Sequence, residues 1–274
     1  MALRADLATD FDCLRNLAEN QVHLWISFED AGERSTSHLR NLLSVEERRL
    51  ADRFQNAGDQ RRYILAHTLV RLALSNYFPV APVDWRFGRD RNGKPVITVP
   101  EQFAAIRFSL SHTRGLIACL ITGAGDAGVD VEKIEANAEL VSVAQKVLSA
   151  SELRSLNELS HEEWTSRFYD LWTLKEAYGK ARGVGLDLPT TKISFEIGRE
   201  DSVRVRFDQE IPDDPSCWIF WLRHLPPDHV LSFAVRRATG ETCGMVERIV
   251  NFDESRNDTE WRLSILSERT IPTC

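Results

Sequence analysis

The sequence is poor in cysteine: Cys13, Cys119, Cys217, Cys243 and Cys274 are the only five among 274 residues, and no C-x-x-C pair occurs. An odd, unpaired set of this kind speaks against both a cysteine zinc site and a disulfide framework. Long apolar runs are also missing. The run LIACLIT, residues 116–122, falls far short of the roughly 20 apolar residues that a membrane-crossing helix needs. The opening residues MALRADLATDFDCLRNL carry acids and no long apolar core, so no signal peptide is expected. Nor is there a surplus of positive charge. Lys and Arg number 34 against 41 Asp and Glu, a net charge of -7, which argues against broad electrostatic binding to nucleic acid. These absences lead us to expect a cytoplasmic protein that engages neither nucleic acid nor membrane.

What is present is a chain with 43% hydrophobic and 27% charged residues, enough for a sizeable core. Its length suits one large domain or two small ones. VHLWISF (residues 22–28) alternates as a strand does. Leu39, Leu42, Leu43, Leu50 and Phe54 then share a helical spacing, with Ser44 and Glu47 set to form a capping box. A second helix is expected over residues 59–78, stopped by Pro79. The arginines between residues 48 and 71 are expected to lie on solvated helix faces. IRFSLSH and LIACLIT read as strands joined at Thr113-Arg114-Gly115, and GVDVEKI reads as another. Helices over residues 139–147, 151–159 and 162–182 follow, the last ending at Gly183. KISFEI, VRVRF, CWIFWLRHL and VLSFAVRRA read as strands. Each half thus begins with a strand, passes through helices and ends in strands, with a seam near residues 123–128. The expected fold is α+β, with lobes at residues 1–123 and 124–240 and a tail at 241–274.

Gly123, Gly125 and Gly128 spell G-x-G-x-x-G, the spacing of a dinucleotide-binding turn. Such a turn must open a helix, because the pyrophosphate sits on free N–H groups at a helix N-terminus. Here V-D-V-E follows, with period two and β-branched residues, which is strand chemistry. The glycines therefore read as a connection between strands, which disfavours a nucleotide-dependent oxidoreductase.

On a strand, residues i and i+2 face one way, so Asp130 and Glu132 share a side opposite Val129 and Val131. In FYDLWTLKEAYGKARG, Trp172, Glu176 and Lys180 recur every four residues on one helix face. Taken singly, these are also the marks of a solvated acidic strand face and of an i,i+4 surface ion pair. Taken together, three carboxylates converging from a strand and a helix suit Mg2+, a hard cation that takes oxygen ligands and substrate phosphates. Lys180 could neutralise a bound phosphate, and Ser109, Ser111 and His112 of FSLSH add hydroxyl and imidazole partners.

In this order NGKPVI, FSLSH, GVDVEKI and WTLKEAYGKARGVGL, over residues 92–186, resemble the 4′-phosphopantetheinyl transferase family, and more narrowly its two-lobed type. The resemblance implies two similar lobes, a pseudo-dimer with the active site between them. It implies transfer of the phosphopantetheine arm of coenzyme A to a serine of acyl or peptidyl carrier proteins, as in polyketide and nonribosomal peptide biosynthesis. Adenosine 3′,5′-bisphosphate would leave. It implies Asp130, Glu132 and Glu176 as Mg2+ ligands, Glu176 as general base, and Lys180 as the lysine facing the leaving phosphate. Ser111, His112, Lys94 and Arg62 become coenzyme A contacts. A monomer is expected. One departure stands out: where the family often places a basic residue near the start of the first long helix, this chain has Leu50, with Glu47 one turn earlier. Arg49 and Arg53 are the nearby substitutes. A two-lobed binder of coenzyme A or a carrier, without catalysis, is the alternative, and the intact acids and Lys180 speak against it.

Overall fold

The computed structural model describes residues 17, 21–29, 36–123, 125–184, 188–198, 202–238, 243–254 and 261–273. Cys13, Cys274 and Leu186 lie outside the described residues, as does Ala124 within the glycine loop. The first lobe opens with β1 (Gln21–Phe28), continues through α1 (Val45–Ala51) and α2 (Ala57–Tyr77), and ends in the hairpins β2 (Arg86–Arg89)/β3 (Pro95–Val99) and β4 (Arg107–Thr113)/β5 (Leu116–Thr122). Ser44 and Glu47 form the expected capping box. The helical spacing from Leu39 to Phe54 does not yield one helix. A 3-10 turn at Leu39–Leu42 precedes α1, because Ser44 caps α1 from an extended backbone, with ψ of 165°. The turn between β4 and β5 uses Gly115 at φ 92°, a left-handed conformation that a side chain would strain.

The second lobe repeats this plan. It runs through β6 (Ala127–Lys133), α3 (Leu140–Val147), α4 (Ala150–Leu156), α5 (His161–Arg182), the hairpin β7 (Ile193–Ile197)/β8 (Val203–Phe207), then β9 (Trp218–Leu225) and β10 (His229–Arg236). In each lobe the last strand lies between the first and the penultimate one: β1-β5-β4 and β6-β10-β9, with antiparallel pairing throughout. Period-two alternation places the layers. Val22, Leu24, Ile26, Leu116 and Leu120 of the first sheet pack against Val129, Val131, Leu231 and Phe233 of the second. The opposite faces take helices: Trp25, Ile117 and Ile121 pack with Leu69 and Leu74 of α2, and Ala234 packs with Leu174 and Tyr178 of α5. The order is helix, sheet, sheet, helix.

The segment beyond residue 240 joins the body. β11 (Cys243–Glu254) pairs in parallel with β1, and β12 (Trp261–Thr273) pairs with β11, so the first sheet reads β12-β11-β1-β5-β4. Arg71 departs from the expected solvated helix face. It is fully buried and reaches Glu47 at 2.5 Å and the carbonyl oxygens of Pro82 and Trp85 at 2.9 Å. A buried guanidinium charge needs such partners, and the capping glutamate of α1 provides one.

Candidate active site

The strand–helix joint of the second lobe brings the acids together. Val129 and Val131 are buried between the sheets, so Asp130 and Glu132 turn toward α5. Gly128 sets how closely the two elements approach. A Cβ there would fall 2.1 Å from the Ala177 carbonyl oxygen and 2.5 Å from the Ala181 nitrogen. Any side chain would push the helix that carries Glu176 and Lys180 off the strand that carries Asp130 and Glu132. The third glycine of the G-x-G-x-x-G spacing thus serves helix–strand contact.

Lys180 donates to Asp130 Oδ1 at 2.6 Å and to Ser111 Oγ at 2.9 Å. Ser111 in turn donates to Asp130 Oδ1 at 2.9 Å and accepts from the Val131 N–H at 3.3 Å. Ser109 accepts from the Val129 N–H at 3.1 Å. The two serines, placed on one face by period two, therefore satisfy the outer edge of β6 from β4. The i,i+4 surface pair between Glu176 and Lys180 that sequence spacing allows is not what forms: the lysine's ion pair is to Asp130.

The acids repel one another. Burial, then the charge of Asp130, pushes Glu132 up to about 7, against the hydrogen bond from Trp172 and the charge of Lys180, with Glu176 adding to the rise. Trp172 Nε1, on the same helix face as Glu176, donates to Glu132 Oε1 at 3.3 Å. Burial and Asp130 also raise Glu176, with Lys180 opposing. Asp130 Oδ2 is buried and has no hydrogen-bond partner. Among the described residues, no three His, Cys, Asp or Glu side chains are drawn together tightly enough to hold a metal ion. The donor chemistry nevertheless fits a hard cation: one orphaned carboxylate oxygen and two carboxylates held toward protonation lack the positive charge that such an ion supplies.

Beside this joint opens a cavity of about 750 Å³, walled by Tyr63 and His67 of α2, Phe87 and Arg89 of β2, His112 and Lys180. His112 is open to the cavity. Desolvation by its walls, then the positive charge of His67, Lys180 and Arg62, holds its imidazole below the ordinary value. Lys94 also lines the cavity, but its ammonium reaches Asp126 Oδ1 at 2.7 Å and the Ala181 carbonyl oxygen at 2.5 Å. It crosses the end of α5 where Gly183, at φ 70°, leaves room; a Cβ there would fall 2.5 Å from the lysine stem. Arg62 does not line the cavity. It pairs with Asp59 and with Glu29 Oε2 at 3.7 Å, and only its charge reaches His112. Leu50 lines the cavity with Glu46 and Glu47, while Arg49 and Arg53 do not. Sequence reasoning did not single out Arg89, Tyr63 or His67 as cavity residues, since only the docking of β2 against α2 makes them neighbours.

Two family models match in succession: "4'-phosphopantetheinyl transferase, N-terminal" over residues 30–122 and "4'-phosphopantetheinyl transferase superfamily" over residues 126–234. The chain is 31% identical over 170 residues to the 4'-phosphopantetheinyl transferase HetI of Nostoc sp., covering 62% of this chain and 72% of that protein. It is 30% identical over 181 residues to the transferase Sfp of Bacillus subtilis, covering 65% of this chain and 76% of that protein. A solved holo-(acyl-carrier-protein) synthase from Bacillus anthracis shares 16% identity at a TM-score of 0.34, covering 41% of this chain and 96% of that one. The ordered motifs, the repeated lobe plan and the two family matches lead to one conclusion: this chain belongs to the 4′-phosphopantetheinyl transferase superfamily.

Proposed function

We propose that this protein transfers the 4′-phosphopantetheine arm of coenzyme A to a serine hydroxyl of an acyl or peptidyl carrier protein, releasing adenosine 3′,5′-bisphosphate. The observation that carries the reading is the junction of an acid cluster with Lys180 at the wall of a cavity of about 750 Å³. In the reaction the serine oxygen bonds to the phosphorus bearing pantetheine, the diphosphate bridge breaks, and the serine proton leaves. Glu176 takes that proton as general base. Lys180 compensates charge on the departing phosphate, and Ser111 and His112 hold phosphate oxygens. Lys94 positions the β2–β3 hairpin against α5 and contributes positive charge, and Arg62 acts on the nucleotide through its field.

Asp130, Glu132 and Glu176 would hold Mg2+, which supplies charge neutralisation to the diphosphate when bound. We read residues 1–123 and 124–240 as the two functional lobes, the first giving coenzyme A contacts and the second the acids. We further propose a cytoplasmic monomer with no nucleic-acid or membrane role. No helix among the described residues is long and apolar enough to cross a membrane.

Incubation with coenzyme A, Mg2+ and several apo carrier domains tests the function. The expected result is a carrier mass increased by one phosphopantetheine arm. No mass gain on any carrier would overturn the enzyme reading.

A further inference from the structure

The acid cluster lies where β4 of the first lobe meets β6 of the second. By the same lobe plan a second joint would pair β9 with β1. The registers align the two. Leu24 on β1 stands between His23 and Trp25 as Val131 on β6 stands between Asp130 and Glu132. Leu24 is opposite Leu120 on β5, which is opposite Ser109 on β4. Val131 is opposite Leu231 on β10, which is opposite Arg223 on β9. Arg223 is therefore the counterpart of Ser109.

Ser109 accepts from the Val129 N–H of β6. Arg223 instead meets β11, which has taken the edge of β1. Met245 and Ile249 of β11 join the apolar layer between the sheets, and strand alternation places Glu247 between them on that face. Glu247 is only 2% exposed. Arg223 donates through Nη1 to Glu247 Oε2. Arg269 of β12 donates to Glu247 Oε1 at 2.8 Å and to Oε2 at 3.1 Å. The Arg269 contact stays within the first sheet, whereas the Arg223 contact crosses to the second. A carboxylate buried to this degree is costly unless it is paired, so the crossing contact is held.

An apolar layer is non-directional. Hydrogen bonds resist the sliding of one sheet along the other, and two sets lie at opposite edges of this layer: β4 on β6, and β11 on β9. We propose that β11 occupies the joint where a second site would form, and that Glu247, through Arg223, is a positioning residue for transfer. The pair holds the stagger in which Ser109 and Ser111 reach β6 and Ser111 reaches Asp130. This rests on the transferase reading above.

The two arginines separate the roles. Arg223→Met cuts the tie between the sheets and leaves Glu247 paired with Arg269; Arg269→Met cuts a contact inside the first sheet and leaves the tie. Hydrogen exchange is followed at the Val129 and Val131 amides, against the amides of the central strand β10. Steady-state transfer to one apo carrier gives kcat and the KM for coenzyme A. Arg223→Met should speed exchange at Val129 and Val131 with β10 unchanged, and lower kcat by roughly ten- to a hundredfold, the scale of a misplaced reacting group. The KM should move by no more than about twofold, because most of the cavity wall belongs to the first lobe. Arg269→Met should keep wild-type values throughout. Glu247→Gln, which keeps the side-chain shape and loses the charge, should act as Arg223→Met does but more weakly, and it carries the test if Arg223→Met does not fold. Equal effects of the two arginine variants, or faster exchange spread over both lobes, would mean general loosening and overturn the proposal. Wild-type exchange at Val129 and Val131, or wild-type kcat, in Arg223→Met would overturn it as well. A wild type that transfers no arm to any carrier would overturn the transferase reading, while exchange still decides whether Arg223 holds the stagger.

Discussion

The two lobes share one plan but fill the same joint in opposite ways. In each, the first strand presents alternate side chains to the long helix. In the first lobe these are His23 and Trp25 of β1, meeting Tyr77 of α2. Tyr77 Oη lies 2.7 Å from His23 Nδ1 and accepts from Trp25 Nε1 at 3.0 Å, and Arg248 of the added strand β11 donates to both Tyr77 Oη and His23 Nδ1. Arg248 also stacks 4.9 Å over Trp25. In the second lobe the corresponding positions are Asp130 and Glu132, meeting Trp172, Glu176 and Lys180. One joint is knit together by neutral rings and a half-buried guanidinium. The other keeps an orphaned carboxylate oxygen and acids that resist ionisation.

The outer edges of those first strands differ in the same sense. β1 is closed by a backbone ladder to β11. β6 has its Val129 and Val131 N–H groups met by serine hydroxyls of β4. A backbone ladder uses every group it touches, whereas a serine oxygen also has capacity for a lysine, an acid or a ligand. The comparison teaches that a duplicated scaffold can keep one strand–helix joint for stability and leave the other under electrostatic strain for chemistry.

The largest expected effect separates the joints by function. Glu176→Gln should reduce carrier modification by about 10²- to 10⁴-fold, the range of a lost general base, with thermal stability retained because a carboxylate held toward protonation is replaced by a neutral isostere. Mass-spectrometric time courses and melting curves check this; full turnover by the variant would remove Glu176 from the role. Gly128→Ala should come next. Its Cβ would collide with backbone of α5, so chemical denaturation should show a loss of about 1–3 kcal/mol, and activity should fall with it as Glu176 and Lys180 are displaced. Wild-type stability and activity in that variant would show that the strand and helix can separate freely.

The smallest effect concerns the first lobe alone. Burial, with the charge of Arg248, lowers His23 from 6.5 to about 3. Between those values the unfolded chain binds a proton that the folded one refuses, so the stabilisation is whole above pH 6.5 and is lost as pH falls toward 3. The slope is at most about 1.4 kcal/mol per pH unit. Urea denaturation at pH 7 and pH 5 should show this loss, and His23→Gln should flatten it without changing the pH dependence of turnover. An equal slope in the variant would place the acid sensitivity elsewhere.

Much of this was legible before folding. Period two put Asp130 and Glu132 on one side and Val129 and Val131 on the other, and a four-residue spacing aligned Trp172, Glu176 and Lys180. Ser44 with Glu47 announced a helix start, and the strand character after Gly128 dismissed a dinucleotide turn. These are local properties, set by backbone geometry over a few residues. Partner choice is not local. Lys180 selects Asp130, fifty positions away, over Glu176 on its own helix face; Lys94 bridges to Asp126 and α5; Arg71 is buried on Glu47. The segment after residue 240 finds β1, more than two hundred residues earlier in the chain. The sequence by itself determined which faces carry acid, base and apolar groups, because side-chain direction follows from helix and strand periods. Only the tertiary structure decided which charges meet, which stay uncompensated and which wall of the cavity holds Arg89, because desolvation and Coulomb energies depend on distances that packing alone sets.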